Sequence, residues 1–181
     1  MISMRKLNAI LSLITTVLIL DHSIFYSVWM LSRGSVAKSA DALPWILTVL
    51  AALHTVLSIV MMARQHRDKE KQEYNTYAKL NAATVVQRVS AIAMIVLLAA
   101  HIGGAANHFH AKIFHTVIHP LFFAAVLAHV SVSVSKAFVT LGVGNAKVIK
   151  ALDILMAVIC VATFLAGVIG FYMCLFIGVV K

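Results

Sequence analysis

The sequence predicts an all-α integral membrane protein, a bundle of five transmembrane helices with a cytoplasmic N-terminus. Of its 181 residues, 62% are hydrophobic and only 12% are charged, and the apolar residues fall into five long runs. A soluble domain is about half apolar and a quarter charged, and one core of this length cannot hide so much apolar surface from water. A soluble enzyme, a disordered chain and a secreted disulfide scaffold are therefore excluded.

Each of the five runs is long enough for a membrane span, which needs about 20 residues. The runs cover residues 7–32, 43–63, 83–106, 113–135 and 151–180, and we expect them to form one transmembrane domain over residues 1–181. Short polar links between them predict that consecutive helices are antiparallel. The first run is too long for a signal peptide and lacks a convincing cleavage site, so we expect it to be retained.

Basic residues predict the orientation. Fifteen Lys and Arg stand against six Asp and Glu, and the basic ones concentrate at the N-terminus, in the link over 64–82 and between the fourth and fifth runs. Such an excess is typical of cytoplasmic loops and of contact with anionic lipid, not of nucleic-acid binding. We therefore expect a multi-pass protein of the cell inner (cytoplasmic) membrane.

One histidine lies in each of the first four runs: His22, His54, His101 and His129. Each costs insertion energy, which favours a function over a purely structural hydrogen bond. At 1.5 Å per residue, His22 and His101 lie about 23–26 Å from the cytoplasmic side, whereas His54 and His129 lie about 10–15 Å from it. The four histidines therefore form an outer pair and an inner pair.

Two imidazoles that face each other across a helical bundle are the ligands of a b-type haem. A zinc site would need three or four ligands at one level. We therefore predict two bis-His haems, one held by His22 with His101 and the other by His54 with His129. Together they would form an electron path across the membrane.

Several other polar features of the sequence each have two possible interpretations. Asp21 is either a proton-handling or quinone-binding carboxylate, or a buried hydrogen-bonded aspartate. Gln87 and Arg88 either bind a haem propionate or a quinone carbonyl, or anchor their helix at the interface. The charged link over 64–82 is either a solvated turn or a docking site for a partner. Four more histidines lie toward the outer side: His108, His110, His115 and His119. They could form a metal site or a proton-accepting site, but we expect a plain interfacial segment instead.

The run Gln87-Arg88-Val89-Ser90, followed by an apolar stretch that ends at His101, resembles the start of a helix in membrane cytochrome b subunits of succinate dehydrogenases and fumarate reductases. The most similar type is the single-chain, five-helix, dihaem form, and the likeness extends over most of the chain. Ala91 stands where the motif usually has glycine. Leu127 stands where some members carry a membrane glutamate, so the carboxylate of a glutamate-based proton path is missing.

This resemblance implies a membrane anchor that carries electrons between an iron–sulfur subunit and membrane quinone through two haem b groups. A flavoprotein subunit with FAD, also on the cytoplasmic side, would perform the succinate–fumarate chemistry, so this chain itself would have no catalytic residue. The complex would form the functional unit, alone or as a higher oligomer. The residues expected at the cofactors are the four ligands His22, His101, His54 and His129, together with Gln87, Arg88, Ser90 and Asp21.

Two alternatives stay open. Hydrogenase-type or formate-dehydrogenase-type cytochromes b and b561-like reductases also place paired histidines on four helices. A haem-free protein whose intramembrane histidines and Asp21 line a proton path would contain the same polar residues. A visible spectrum separates this last alternative from the others.

Overall fold

A computed structural model of the chain describes residues 3–32, 42–70, 82–106, 111–143 and 145–177. These residues form five α-helices, each with a stretch long and apolar enough to cross a membrane. The all-α class and the five spans are thus confirmed for the described residues. The helices are α1 (Met4–Leu31), α2 (Leu43–Glu70), α3 (Ala82–Ala106), α4 (Ala111–Leu141) and α5 (Ala146–Ile177).

Two helices extend well beyond the predicted spans. α2 continues from residue 63 to Glu70, and α4 continues from residue 135 to Leu141. An apolar run shows how much of a helix lipid covers, whereas backbone hydrogen bonding continues into polar sequence until a residue stops it. The charged link after the second span is therefore helical at its start, and its residues 71–81 lie outside the described part.

A short turn joins α4 to α5. Gly142 has a φ of 108°, a left-handed conformation that glycine adopts without a Cβ clash. Its N–H donates to the Val139 carbonyl at 3.1 Å, and the N–H of Val143 donates to the Phe138 carbonyl at 3.0 Å, which completes a Schellman motif. The Asn145 side-chain oxygen then accepts two backbone N–H groups of the first turn of α5, at 2.9 and 3.4 Å. This turn makes the two helices antiparallel.

The helices pack around α1 and α4. Backbone contacts join α1 to α2, α4 and α5, and join α4 to α3 and α5. Within the described ranges, α2 contacts only α1 and α3 contacts only α4. The first four helices are therefore neighbours in the order α2, α1, α4, α3, and α5 packs against both α1 and α4. In this order α1 separates α2 from α4, and α4 separates α1 from α3.

The apolar core lies between α4 and α5, and the outer faces of the helices carry large apolar side chains. Val130 in the core is only 2% exposed, whereas Trp45 on α2 is 72% exposed. Such exposure suits contact with lipid and not with water. The buried core residues are Val126, Leu127, Val130, Val134, Met156 and Cys160.

Candidate functional site

Side chains from four helices converge near the end of the bundle where α1 and α3 begin. His54 on α2 and His129 on α4 lie close enough to interact electrostatically, and both are half-buried. The backbones of α2 and α4 are not in contact over the described residues. The two imidazoles of the predicted inner pair therefore lie near each other, although they belong to helices that are not neighbours.

The ring of His129 is held by α3. Its Nδ1 atom lies 3.1 Å from the Gln87 backbone carbonyl and 3.3 Å from the Ser90 hydroxyl. A carbonyl oxygen only accepts hydrogen bonds, so Nδ1 of His129 carries the proton. The Ser90 hydroxyl donates its own proton to the Val86 carbonyl at 2.6 Å, which leaves its lone pairs for the imidazole. Nε2 of His129 therefore keeps its lone pair for a ligand.

His54 is held from the side of α1. Its ring reaches the Asn8 backbone, and the Asn8 amide donates to the Ser58 hydroxyl at 3.3 Å. Nδ1 of His54 is buried and has no hydrogen-bond partner within the described part of the chain. A buried polar atom without a partner is costly. This atom marks a place where another group is needed.

A network of polar side chains continues from His129 toward the adjacent end of the bundle. The half-buried ammonium of Lys136 donates to the Gln87 side-chain oxygen at 2.7 Å and to the Thr84 hydroxyl at 3.2 Å. The Gln87 amide nitrogen donates to the Ser133 hydroxyl at 3.2 Å. Arg88, which is exposed, lies within electrostatic reach of Lys136. Gln87 therefore connects the imidazole of His129 to a pair of positive charges.

Replacing Gln87 by leucine is expected to lower the free energy of unfolding by about 1 kcal/mol, because a partly buried ammonium loses its nearest acceptor. Gln87→Glu is the matched control, since its carboxylate keeps an acceptor for Lys136. Thermal unfolding in detergent measures the difference. Equal melting temperatures for the two variants would show that this network adds nothing to stability.

The predicted outer residues lie in two clusters. His22 interacts electrostatically with Asp21, and its ring centroid lies 5.6 Å from that of Tyr26, one turn further along α1. His101 packs against α4, with ring centroids 4.6 Å from His119 and 5.3 Å from Phe122. An electrostatic interaction therefore links the two inner histidines, whereas each outer histidine lies among its own neighbours.

Several contributors to the site did not stand out in the sequence. Lys136 lies at the end of a predicted span, a position typical of a plain interfacial anchor, and nothing in the sequence was a reason to select Asn8 or Ser133. One signal was available: Ser133 follows His129 by one helical turn, so the two share a helix face. His119 belongs to α4 and contacts His101, unlike a residue of an interfacial segment. His108 and His110 lie outside the described residues, as does the side chain of His115.

The imidazoles of His54 and His129 provide two nitrogen ligands, which is fewer than a closed metal site of protein ligands needs. Among the described residues, no group of three or more His, Cys, Asp or Glu side chains is arranged to hold a metal ion. A closed structural zinc site needs four ligands and a catalytic one usually three, whereas a bis-His site needs only two. Comparisons with protein-family models, curated protein sequences and solved structures give no match for this chain.

Proposed function

We propose that this chain is the haem-bearing membrane anchor of a succinate:quinone or quinol:fumarate oxidoreductase. Two bis-His b haems would carry electrons between an iron–sulfur subunit and membrane quinone. The observation that carries the proposal is the electrostatic interaction of His54 with His129, with Nε2 of His129 left available. The two residues belong to α2 and α4, whose backbones are not in contact over the described residues. The run from Gln87 to Ser90 supplies the resemblance to this family.

The inner cluster fits the chemistry of a haem ligand set. Haem iron binds neutral imidazole, and a ligating histidine usually donates its other ring N–H to a carbonyl or carboxylate. His129 meets both conditions through the Gln87 carbonyl. His54 has a buried ring nitrogen without a partner in the described residues.

In this proposal, the haem supplies one-electron transfer at its iron. The protein orients the ligands: Gln87 and Ser90 set the tautomer and rotation of His129, and α1 covers His54. Lys136 and Arg88 place positive charge at the end of the site, where a carboxylate such as a haem propionate is stabilised. His22 and His101 would hold the second haem nearer the opposite side of the membrane.

The orientation follows from the basic residues. The bundle end that contains the inner cluster also holds the start of α1, the end of α2, the start of α3, the end of α4 and the start of α5. Nine of the fifteen Lys and Arg lie in these helix ends: Arg5, Lys6, Arg64, Arg67, Lys69, Arg88, Lys136, Lys147 and Lys150. By the positive-inside rule this end faces the cytoplasm. The iron–sulfur subunit would dock there and bring the flavoprotein with it, while quinone would reach the site from the inner membrane.

The test is a visible spectrum and a haem assay of the chain purified in detergent. We expect reduced-minus-oxidised bands of b-type haem and two haems per chain. A folded but colourless protein would reject the proposal in favour of a haem-free membrane protein. Two haems without co-purification of a flavoprotein and an iron–sulfur subunit from the native membrane would instead indicate another class of cytochrome b.

A further inference from the structure

A proline interrupts the backbone hydrogen bonds of α4 close to the outer histidines. Pro120 lies inside the helix and has no N–H to donate to the carbonyl of Thr116, four residues earlier. Inside a membrane, water does not compensate such a loss, and another protein group must do so. The hydroxyl of Tyr172 on α5 donates to this carbonyl at 3.1 Å. The Tyr172 hydroxyl therefore supplies the hydrogen bond to the Thr116 carbonyl that Pro120 cannot make.

Beside this hydrogen bond, a series of aromatic rings in contact runs from α5 through α4 to α3. Tyr172 contacts Phe171 edge to face, with ring centroids 5.7 Å apart. Phe171 stacks on His119 at 5.0 Å, with an angle of 17° between the ring planes. His119 meets His101 at 4.6 Å, with an angle of 71°. Phe122, nearly a turn after His119, stacks on His101 at 5.3 Å.

We propose that His119 is a positioning residue that fixes the rotation of the His101 imidazole, and that Tyr172 holds His119 in place. The inference rests on the proposed function, in which His101 is a haem ligand. His119 is packed between His101 and the flat face of Phe171, so its own rotation is restricted. Because Phe122 covers the His101 ring as well, the ligand is held by two residues of the same stretch of α4.

The break at Pro120 explains why Tyr172 is needed. A helix without one backbone hydrogen bond bends more easily at that point, and His119 immediately precedes the proline. The bond from Tyr172 to the Thr116 carbonyl ties this turn of α4 to α5. Movement of the turn would otherwise pass directly to the contact between His119 and His101.

The experiment uses the full chain in detergent and follows each haem separately by electron paramagnetic resonance and redox titration. His119→Ala is expected to weaken retention of the outer haem about 10-fold to 100-fold, as is typical when a residue that supports a ligand is lost. His119→Phe, which keeps an aromatic ring at the contact, is expected to retain the haem with a shifted resonance signal. The inner haem serves as the internal control and is expected to keep its signal.

A pair of variants tests the part played by Tyr172. Tyr172→Phe removes only the hydroxyl and is expected to shift the signal of the outer haem in the same direction as His119→Phe. Adding Pro120→Ala restores the backbone N–H to α4 and is expected to return the signal toward wild type. A general loss of packing would instead change both haems together, and Pro120→Ala would not correct it.

The outcomes separate the two proposals. If the His119 variants retain both haems with wild-type resonance signals, the positioning role is wrong while the proposed function stands. Equal changes at both haems would also overturn the positioning role, because they would show a general packing defect. A wild-type chain without haem would overturn both proposals, and its spectrum would show this before any variant is made.

Discussion

Replacing His54 or His129 by alanine is expected to remove the same haem and to leave the other haem bound. The two imidazoles approach each other from α2 and α4, so the loss of either one leaves a single axial ligand. Haem quantitation and redox titration are expected to show about half of the wild-type haem in each variant. The remaining midpoint potential is expected to be identical in the two variants.

The outer pair provides the complementary half of this experiment. His22→Ala and His101→Ala are both expected to remove the other haem, so the double variant His54→Ala with His22→Ala would bind none. His66→Ala is the matched control, since His66 lies beyond the apolar part of the second span. Loss of both haems in every single variant, or of different haems from His54→Ala and His129→Ala, would contradict the pairing.

Replacing Gly167 by leucine is expected to disrupt the packing of α5 and to lower the free energy of unfolding by about 3 kcal/mol, at the upper end for overpacking. Even a single Cβ atom at Gly167 would collide with the ring of Phe123 on α4 and lie 3.0 Å from the hydroxyl of Ser27 on α1. Three helices meet at this point, so none of them can move without disturbing the others.

Thermal unfolding in detergent measures this effect, with Ala162→Leu as the control. Ala162 is on the same helix but is exposed, so the added side chain meets lipid or detergent and stability is expected to stay near wild type. Because Phe123 provides the closest collision, adding Phe123→Ala to Gly167→Leu is expected to recover part of the loss. Equal melting temperatures for Gly167→Leu and Ala162→Leu would show that α5 does not pack as described.

The number, order and approximate bounds of the helices could be read from the sequence because lipid imposes one strong requirement. A span of about 20 residues must be apolar along its length, so each span appears as an uninterrupted run. The assignment of the four histidines to two levels used only the fixed rise of a helix. In the structure, Asn8 and His129 both interact with His54 near the end of the bundle where α1 begins.

The sequence predicted less accurately where a helix ends once it has passed into polar residues. The prediction placed the end of the fourth span at residue 135, whereas α4 continues to Leu141. The stop is made by the left-handed conformation of Gly142 and the hydrogen bonds around it. Hydropathy reports lipid coverage and carries no information about this local stop.

The packing of the helices decided which residues belong together. The sequence alone already predicted five apolar helices, a histidine on each of the first four, and the two levels at which we expect these histidines to lie. Only the folded bundle put α1 and α4 at its centre, His54 near His129, Lys136 on Gln87, and His119 against His101. These contacts join residues that are 18 to 75 positions apart. They depend on how each helix is rotated about its own axis, and in lipid, where every face of a helix is apolar, the hydrophobic pattern does not reveal that rotation.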